Sequence, residues 1–207
     1  MRTRPASSTT ATPSTAPLRA LRDPNLWPDW AEKRNAAADG DGSALETDGR
    51  LWRTPKAFAE ATKSSAISCL DGPAGLPVSD WPTLLPELVQ HQRWQGAISA
   101  WWLWAPCAAN RPPRGNDRYA GPWNARTDAP VLLINARYDP NTGYQNAVNV
   151  SKRLGNAVLL TLDGYGHVTT HDTSACIEKA RVAYLVDLVA PPPGTVCPAD
   201  HKPFGLS

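Results

Sequence analysis

The sequence predicts an α/β fold in which a helical segment precedes a β-α-β-α unit of a parallel sheet. Two observations carry this expectation. "APVLLINA" and "AVLLTLDG" are short, continuous apolar runs, and each is followed by a stretch with helical character. Strand, helix, strand, helix is the order of a parallel sheet with covering helices. Many of the nine Trp and 21 Pro fall between Trp27 and Trp123, which marks an irregular, aromatic-rich middle upstream of that unit.

The elements follow in chain order. Residues 1–22 are rich in Ser, Thr, Pro and Ala and read as a disordered arm. Residues 23–124 read as helical. In "DPNLWPDWAEKRNAAADGDGSAL", Pro28 suits a first helical turn, while Gly40 and Gly42 stop the helix. "TPKAFAEATKSSAISCL" is a second helix, with Thr54 as cap and Pro55 at its first position. "VSDWPTLLPELVQHQRWQGAI" holds one or two more. From residue 125 to 207 the pattern changes. Pro130 to Ile134 is apolar throughout, as for a strand covered on both faces. "TGYQNAVNVSKRLGN" places Tyr144, Ala147, Val148 and Leu154 at helical spacing. "DTSACIEKARVAYLVDLVA" is a helix opened by Asp172, Thr173 or Ser174. Only two strands are legible, fewer than a doubly wound sheet holds, so the rest of such a sheet is expected either in a partner chain or in a larger domain of which this chain is a piece.

Composition narrows the function. A net charge of +2 gives no broad basic field, so nucleic acid is not an expected partner. No run of 18 apolar residues exists, so no membrane span is expected. Cys69, Cys107, Cys176 and Cys197 form no CxxC pair, which argues against a metal. Two disulfides in an oxidising compartment and four buried free thiols both fit that count. The N-terminus has no apolar core of a secretory signal, so the chain as given would be cytoplasmic.

Functional groups in open parallel sheets gather at the carboxyl ends of strands. Asp139 follows the first apolar run, and His167 follows the second within "DGYGHVTTH". A carboxylate that accepts from one imidazole nitrogen leaves the other to act as a base. Taken singly, Asp before Pro-Asn-Thr is a turn residue and His beside glycines is a loop residue. Together, at the ends of consecutive strands and in the order Asp then His, they read as an acid–base pair. His167 and His171 lie four apart, but without HExxH context a metal is not expected.

These motifs carry a specific resemblance. "PVLLINARYDPNTGYQNAVNVSKRLGNAVLLTLDGYGH", a Cys-bearing helix and "GTVCPADHKPF" resemble the C-terminal part of the tripeptidyl aminopeptidase-like α/β-hydrolases, secreted serine peptidases related to proline iminopeptidases. "DPNLWPDWAEKRNAAADGDGSAL", "AISCLDGP" and "WWLWAPCA" are similar to that family's helical cap, while the segment from Glu46 to Phe58 departs from it. The resemblance spans roughly residues 21–205. It implies a partial α/β-hydrolase fold: a cap over 23–124, then the C-terminal part of the core over 125–207. It carries Asp139 over as acid and His167 as base, and implies the disulfides Cys69–Cys107 and Cys176–Cys197. It implies a peptide substrate and no cofactor.

In that family an earlier half of the fold holds a G-x-S-x-G nucleophile elbow, and this sequence contains none. The expectation is therefore a truncated gene product or a start codon assigned too late, with the chain inactive alone and the N-terminal hydrolase half as its partner. The loss of that half would also remove a signal peptide. The alternative is a non-catalytic binding or interaction protein derived from the cap and C-terminal half. Trp101, Trp102 and Trp104 are candidates to line an apolar substrate pocket, with cap packing as the competing role.

Overall fold

The computed structural model describes residues 16–45, 54–71, 77–91, 107, 119, 121–124 and 126–205. The chain divides into two compact units. One comprises Met1–Ser14 with Thr47–Tyr119, and the other Thr15–Glu46 with Ala120–Ser207.

The chain enters its described part through helix α1 (Ala16–Arg22), a 3₁₀ turn (Pro24–Leu26) and helix α2 (Trp27–Ala38). Asp23 caps the 3₁₀ turn by accepting from the Asn25 backbone N–H. Pro28 lies in the first turn of α2, and just past its end Gly40 takes φ +105°, where a side chain would be strained. Residues 16–22 are thus helical where the composition reads as an arm. The segment 15–46 belongs with the C-terminal unit rather than with the following helices. Aromatic packing is the physical reason. Trp27 lies 5.4 Å from Tyr165 and 6.5 Å from Phe204, centroid to centroid, and its Nε1 donates to the Ala20 carbonyl at 2.8 Å. Pro24 is buried.

In the other unit, α3 (Pro55–Asp71) starts at the proline that the sequence marks. A 3₁₀ turn (Val78–Asp80) leads into α4 (Trp81–His91), which carries Pro86 in its interior. Cys69 in α3 is buried and bonded to Cys107. Trp101, Trp102 and Trp104 lie outside the described residues.

The C-terminal unit is built on strands β1 (Val131–Tyr138) and β2 (Ala157–Tyr165), joined through helix α5 (Tyr144–Arg153). They pair in parallel, Val131 opposite Ala157 through Ala136 opposite Leu162. Helix α6 (Ala175–Asp187) follows, and a third strand, β3 (Val196–Pro198), pairs in parallel with β2, giving the order β1-β2-β3. The sequence reading stops at two strands. β3 escapes it because three residues ending in Pro carry no readable periodicity.

Alternation along the strands sorts the two faces. Leu160 and Leu162 of β2 and Ala136 of β1 are fully buried with Ile177 of α6 and Cys197 of β3, and Leu132, Ile134 and Ala180 pack against them. On the other face Tyr144 of α5 bonds the Thr161 hydroxyl at 2.7 Å. Among the three cap candidates for α6, Ser174 is the one used, its Oγ accepting from the Ile177 N–H at 3.3 Å. The Cys176–Cys197 disulfide ties the first turn of α6 to β3. Among the described residues, β1 has no partner on its outer edge. Val182, Leu185 and Val186 of α6 form an exposed apolar stripe at i, i+3 and i+4.

Candidate active site

The parallel register brings the exits of β1 and β2 together, since Tyr138 pairs with Tyr165. Their rings stack with centroids 5.0 Å apart. One residue beyond Tyr138 stands Asp139, and two beyond Tyr165 stands His167. The imidazole Nδ1 lies 3.1 Å from Asp139 Oδ2 and 3.2 Å from Oδ1. The two residues singled out from the sequence therefore meet in the structure.

Asp139 is held from all sides. Its Oδ1 accepts from the backbone N–H groups of Asn141 and Thr142, both at 2.8 Å. Its Oδ2 accepts from the Thr142 hydroxyl at 2.8 Å and from the Val168 N–H at 3.3 Å. Both oxygens take part in the Asp-Pro-Asn-Thr turn, and both also lie within reach of the imidazole. Asn135 of β1 braces this turn by donating to the Thr142 carbonyl at 3.3 Å. The Asp139 side chain is 1 % exposed and that of His167 23 %.

Burial pushes the Asp139 carboxyl up. The backbone N–H groups of Thr142 and Asn141, the Thr142 hydroxyl and His167 outweigh it and hold the group below its ordinary value. Its folded-state pKa thus lies below the unfolded one, about 3.9. The stability it contributes is fully present above that pH and is lost as pH falls through the folded value. Asp139→Asn should therefore cost most stability near neutrality, with the gap to wild type closing below about pH 4. Denaturant unfolding of both proteins across pH 2–7 checks this, and a pH-independent gap would contradict it.

The His167 loop is strapped at several points. Asp172 is buried and its Oδ2 accepts from the Tyr165 N–H at 2.8 Å, closing the loop's base. Burial is the main cause that raises the Asp172 carboxyl above its ordinary value, with Asp200 adding to it, while the Tyr165 bond and His201 oppose. A Cβ on Gly164 would lie 2.2 Å from that carboxylate, so the close approach requires glycine. Gly166, at φ +87°, has the Arg22 carbonyl and Pro24 2.7 Å from where a Cβ would stand. The α1 end reaches in here: the His167 N–H donates to the Arg22 carbonyl at 2.7 Å, and Asn25 Nδ2 to the His171 carbonyl at 2.7 Å. His171 Nδ1 lies 3.4 Å from Asp23. Val168 has φ 59°, a left-handed conformation that a β-branched residue rarely adopts and that costs about 1–3 kcal/mol. In that conformation its N–H donates to Asp139 Oδ2.

The second imidazole nitrogen is also engaged. Asn141 Nδ2 lies 3.3 Å from His167 Nε2, and Arg22 Nη2 donates to Asn141 Oδ1 at 2.9 Å. Sequence reasoning expects that nitrogen to be open and names neither residue. Asn141 is visible only as part of a turn, and Arg22, 119 residues away in sequence, gives no signal.

Two carboxyl-end loops of a parallel sheet, one bearing an acid and the next a histidine, are the arrangement found here. Residues 95–197 match an α/β-hydrolase family model described as TAP-like protein. The chain holds part of an α/β-hydrolase fold. The chain is 25% identical over 169 residues to proteins named Carboxylesterase B from two strains of Mycobacterium tuberculosis. The alignment covers 78% of the chain and 29% of each relative, so the chain spans less than a third of the length of these relatives. The matched region includes both Asp139 and His167.

Proposed function

We propose that this chain supplies the acid and base of a serine hydrolase that removes short peptides from the free N-termini of its substrates. The observation that carries the proposal is the Asp139 carboxylate 3.1 Å from His167 Nδ1 at the ends of neighbouring parallel strands. Asp139 fixes the ring with its proton on Nδ1. Nε2 then takes the proton of a serine hydroxyl as that oxygen attacks the carbonyl, and later delivers it to the leaving amine. Asp139 stabilises the imidazolium formed in between. The sequence contains no G-x-S-x-G elbow, so the nucleophile and oxyanion hole come from an N-terminal hydrolase half, and the chain alone is inactive. The same chemistry opens an ester, and the relatives' name brings esters in as an alternative substrate class. The disulfides Cys69–Cys107 and Cys176–Cys197 support an oxidising, extracytoplasmic setting.

One observation favours a second reading, a non-catalytic binding protein: the base nitrogen already has a partner in Asn141. A fluorogenic N-terminal peptide substrate, a fluorogenic ester and a serine-directed fluorophosphonate probe separate the two. The chain alone should neither turn over nor label, and joining it to a hydrolase half that carries G-x-S-x-G should restore both. Turnover by the chain alone, with one of its own serines labelled, would overturn the proposal. A correctly folded joined protein that remains inert would favour the binding reading.

A further inference from the structure

We propose that Asn141, oriented by Arg22, is a positioning residue that occupies the outward nitrogen of His167 and must be displaced before a hydroxyl can bond there. The inference rests on reading His167 as the base of the site. It begins with the donor and acceptor inventory. Asp139 accepts from the Asn141 and Thr142 N–H groups, the Thr142 hydroxyl and the Val168 N–H. A carboxylate so surrounded only accepts, and His167 Nδ1, 3.1 Å away, brings the proton to that contact. In the neutral ring Nε2 then carries a lone pair and needs a donor.

Asn141 provides that donor, and Arg22 decides which end of its amide does so. A guanidinium can only donate, so the Arg22 bond of 2.9 Å commits the Asn141 oxygen and leaves the Nδ2 hydrogens for Nε2, 3.3 Å away. The amide thus stands in for the serine hydroxyl of a triad, which would also donate to Nε2. Arg22 is well placed for this task, since its carbonyl accepts from the His167 backbone N–H at 2.7 Å. One residue therefore fixes the backbone of the base and, through Asn141, its outward nitrogen. Asn141 and Arg22 are both exposed, so the contact can open without disturbing the core.

Diethyl pyrocarbonate acylates an unprotonated imidazole nitrogen whose lone pair is free, and peptide mapping reads the rate at each histidine of the full chain. The Asn141→Ala and Arg22→Gln proteins should react several-fold faster than wild type at His167, with exposed His201 as an unchanged internal reference. Asn141→Asp, which sets an acceptor beside Nε2 and so favours a hydrogen on that nitrogen, should react more slowly than Asn141→Ala. ¹⁵N spectra of the wild type should show His167 as the Nδ1–H tautomer with a hydrogen-bonded Nε2, and Asn141→Ala should lose that Nε2 signature. Equal His167 rates in wild type and both uncapped variants would overturn the proposal. Acceleration in Asn141→Ala but not in Arg22→Gln would overturn the orienting role of Arg22. None of these readouts needs turnover, so the cap can fail while the hydrolase reading stands, and the reverse.

Discussion

In a hydrolase completed by a G-x-S-x-G half, Asp139→Asn should lower kcat by about 10⁴ and leave KM near its wild-type value. The geometry dictates the sign. Oδ1 accepts from two backbone N–H groups, so the amide oxygen of the variant keeps that position. The amide NH₂ then takes the place of Oδ2, which at 3.1 Å is the nearer of the two oxygens to His167 Nδ1. A donor there requires Nδ1 to accept, which moves the ring proton to Nε2. The base now presents a hydrogen where it needs a lone pair, although every atom is close to its original place. Steady-state kinetics of the joined protein, with wild type measured alongside, checks the prediction. A loss of less than tenfold would show that Asp139 is not orienting a catalytic base.

Removal of the Cys176–Cys197 disulfide should have the largest effect on the C-terminal unit's stability. The bond closes a sequence separation of 21, which in the chain-entropy treatment corresponds to about 3 kcal/mol. Domain stabilities are about 5–15 kcal/mol, so this is a large share. Its position adds to the effect, because β3 is only three residues long and Cys197 belongs to the buried cluster with Leu160, Leu162 and Ile177. Without the cross-link, β3 has few interactions to hold it against β2. A Cys176→Ala/Cys197→Ala protein should melt on the order of 10 °C below wild type, and wild type in reductant should approach it. A shift of under about 2 °C in both would show that the strand is held by packing alone.

The strands that a reader can find in the sequence are those that are apolar over a whole run. Val131 to Ile134 and Val158 to Leu160 stand out because helices cover the sheet from both sides. Asp139 and His167 follow from them, since a parallel pair places both exits at one edge. Other features are legible only in three dimensions. β3 is too short to show periodicity, and its pairing with Thr161 to Asp163 is set by the α6 crossover and the disulfide. α1 lies at the end of a Ser-, Thr- and Pro-rich stretch whose composition hides it, and its place depends on Trp27 finding Tyr165 and Phe204. The Arg22–Asn141–His167 chain joins a helix end to two loops, and no local pattern encodes such a meeting.

The strap that α1 and the following turn lay across the His167 loop also has a kinetic meaning. Strands β1 and β2 pair residues 26 apart in sequence, Val131 with Ala157, whereas Arg22 reaches Asn141 across 119 residues and Asn25 reaches His171 across 146. For a flexible chain, closing the 119-residue loop costs about 1.3 kcal/mol more in entropy than closing the 26-residue one. The sheet can therefore form from near neighbours, while the strap arrives from the far end of the chain. Partial unfolding would reverse that order, releasing α1 from the His167 backbone before β1 parts from β2. His167 would then lose its outer fastening while Asp139 stayed in its turn, so loosening the site need not take the sheet apart.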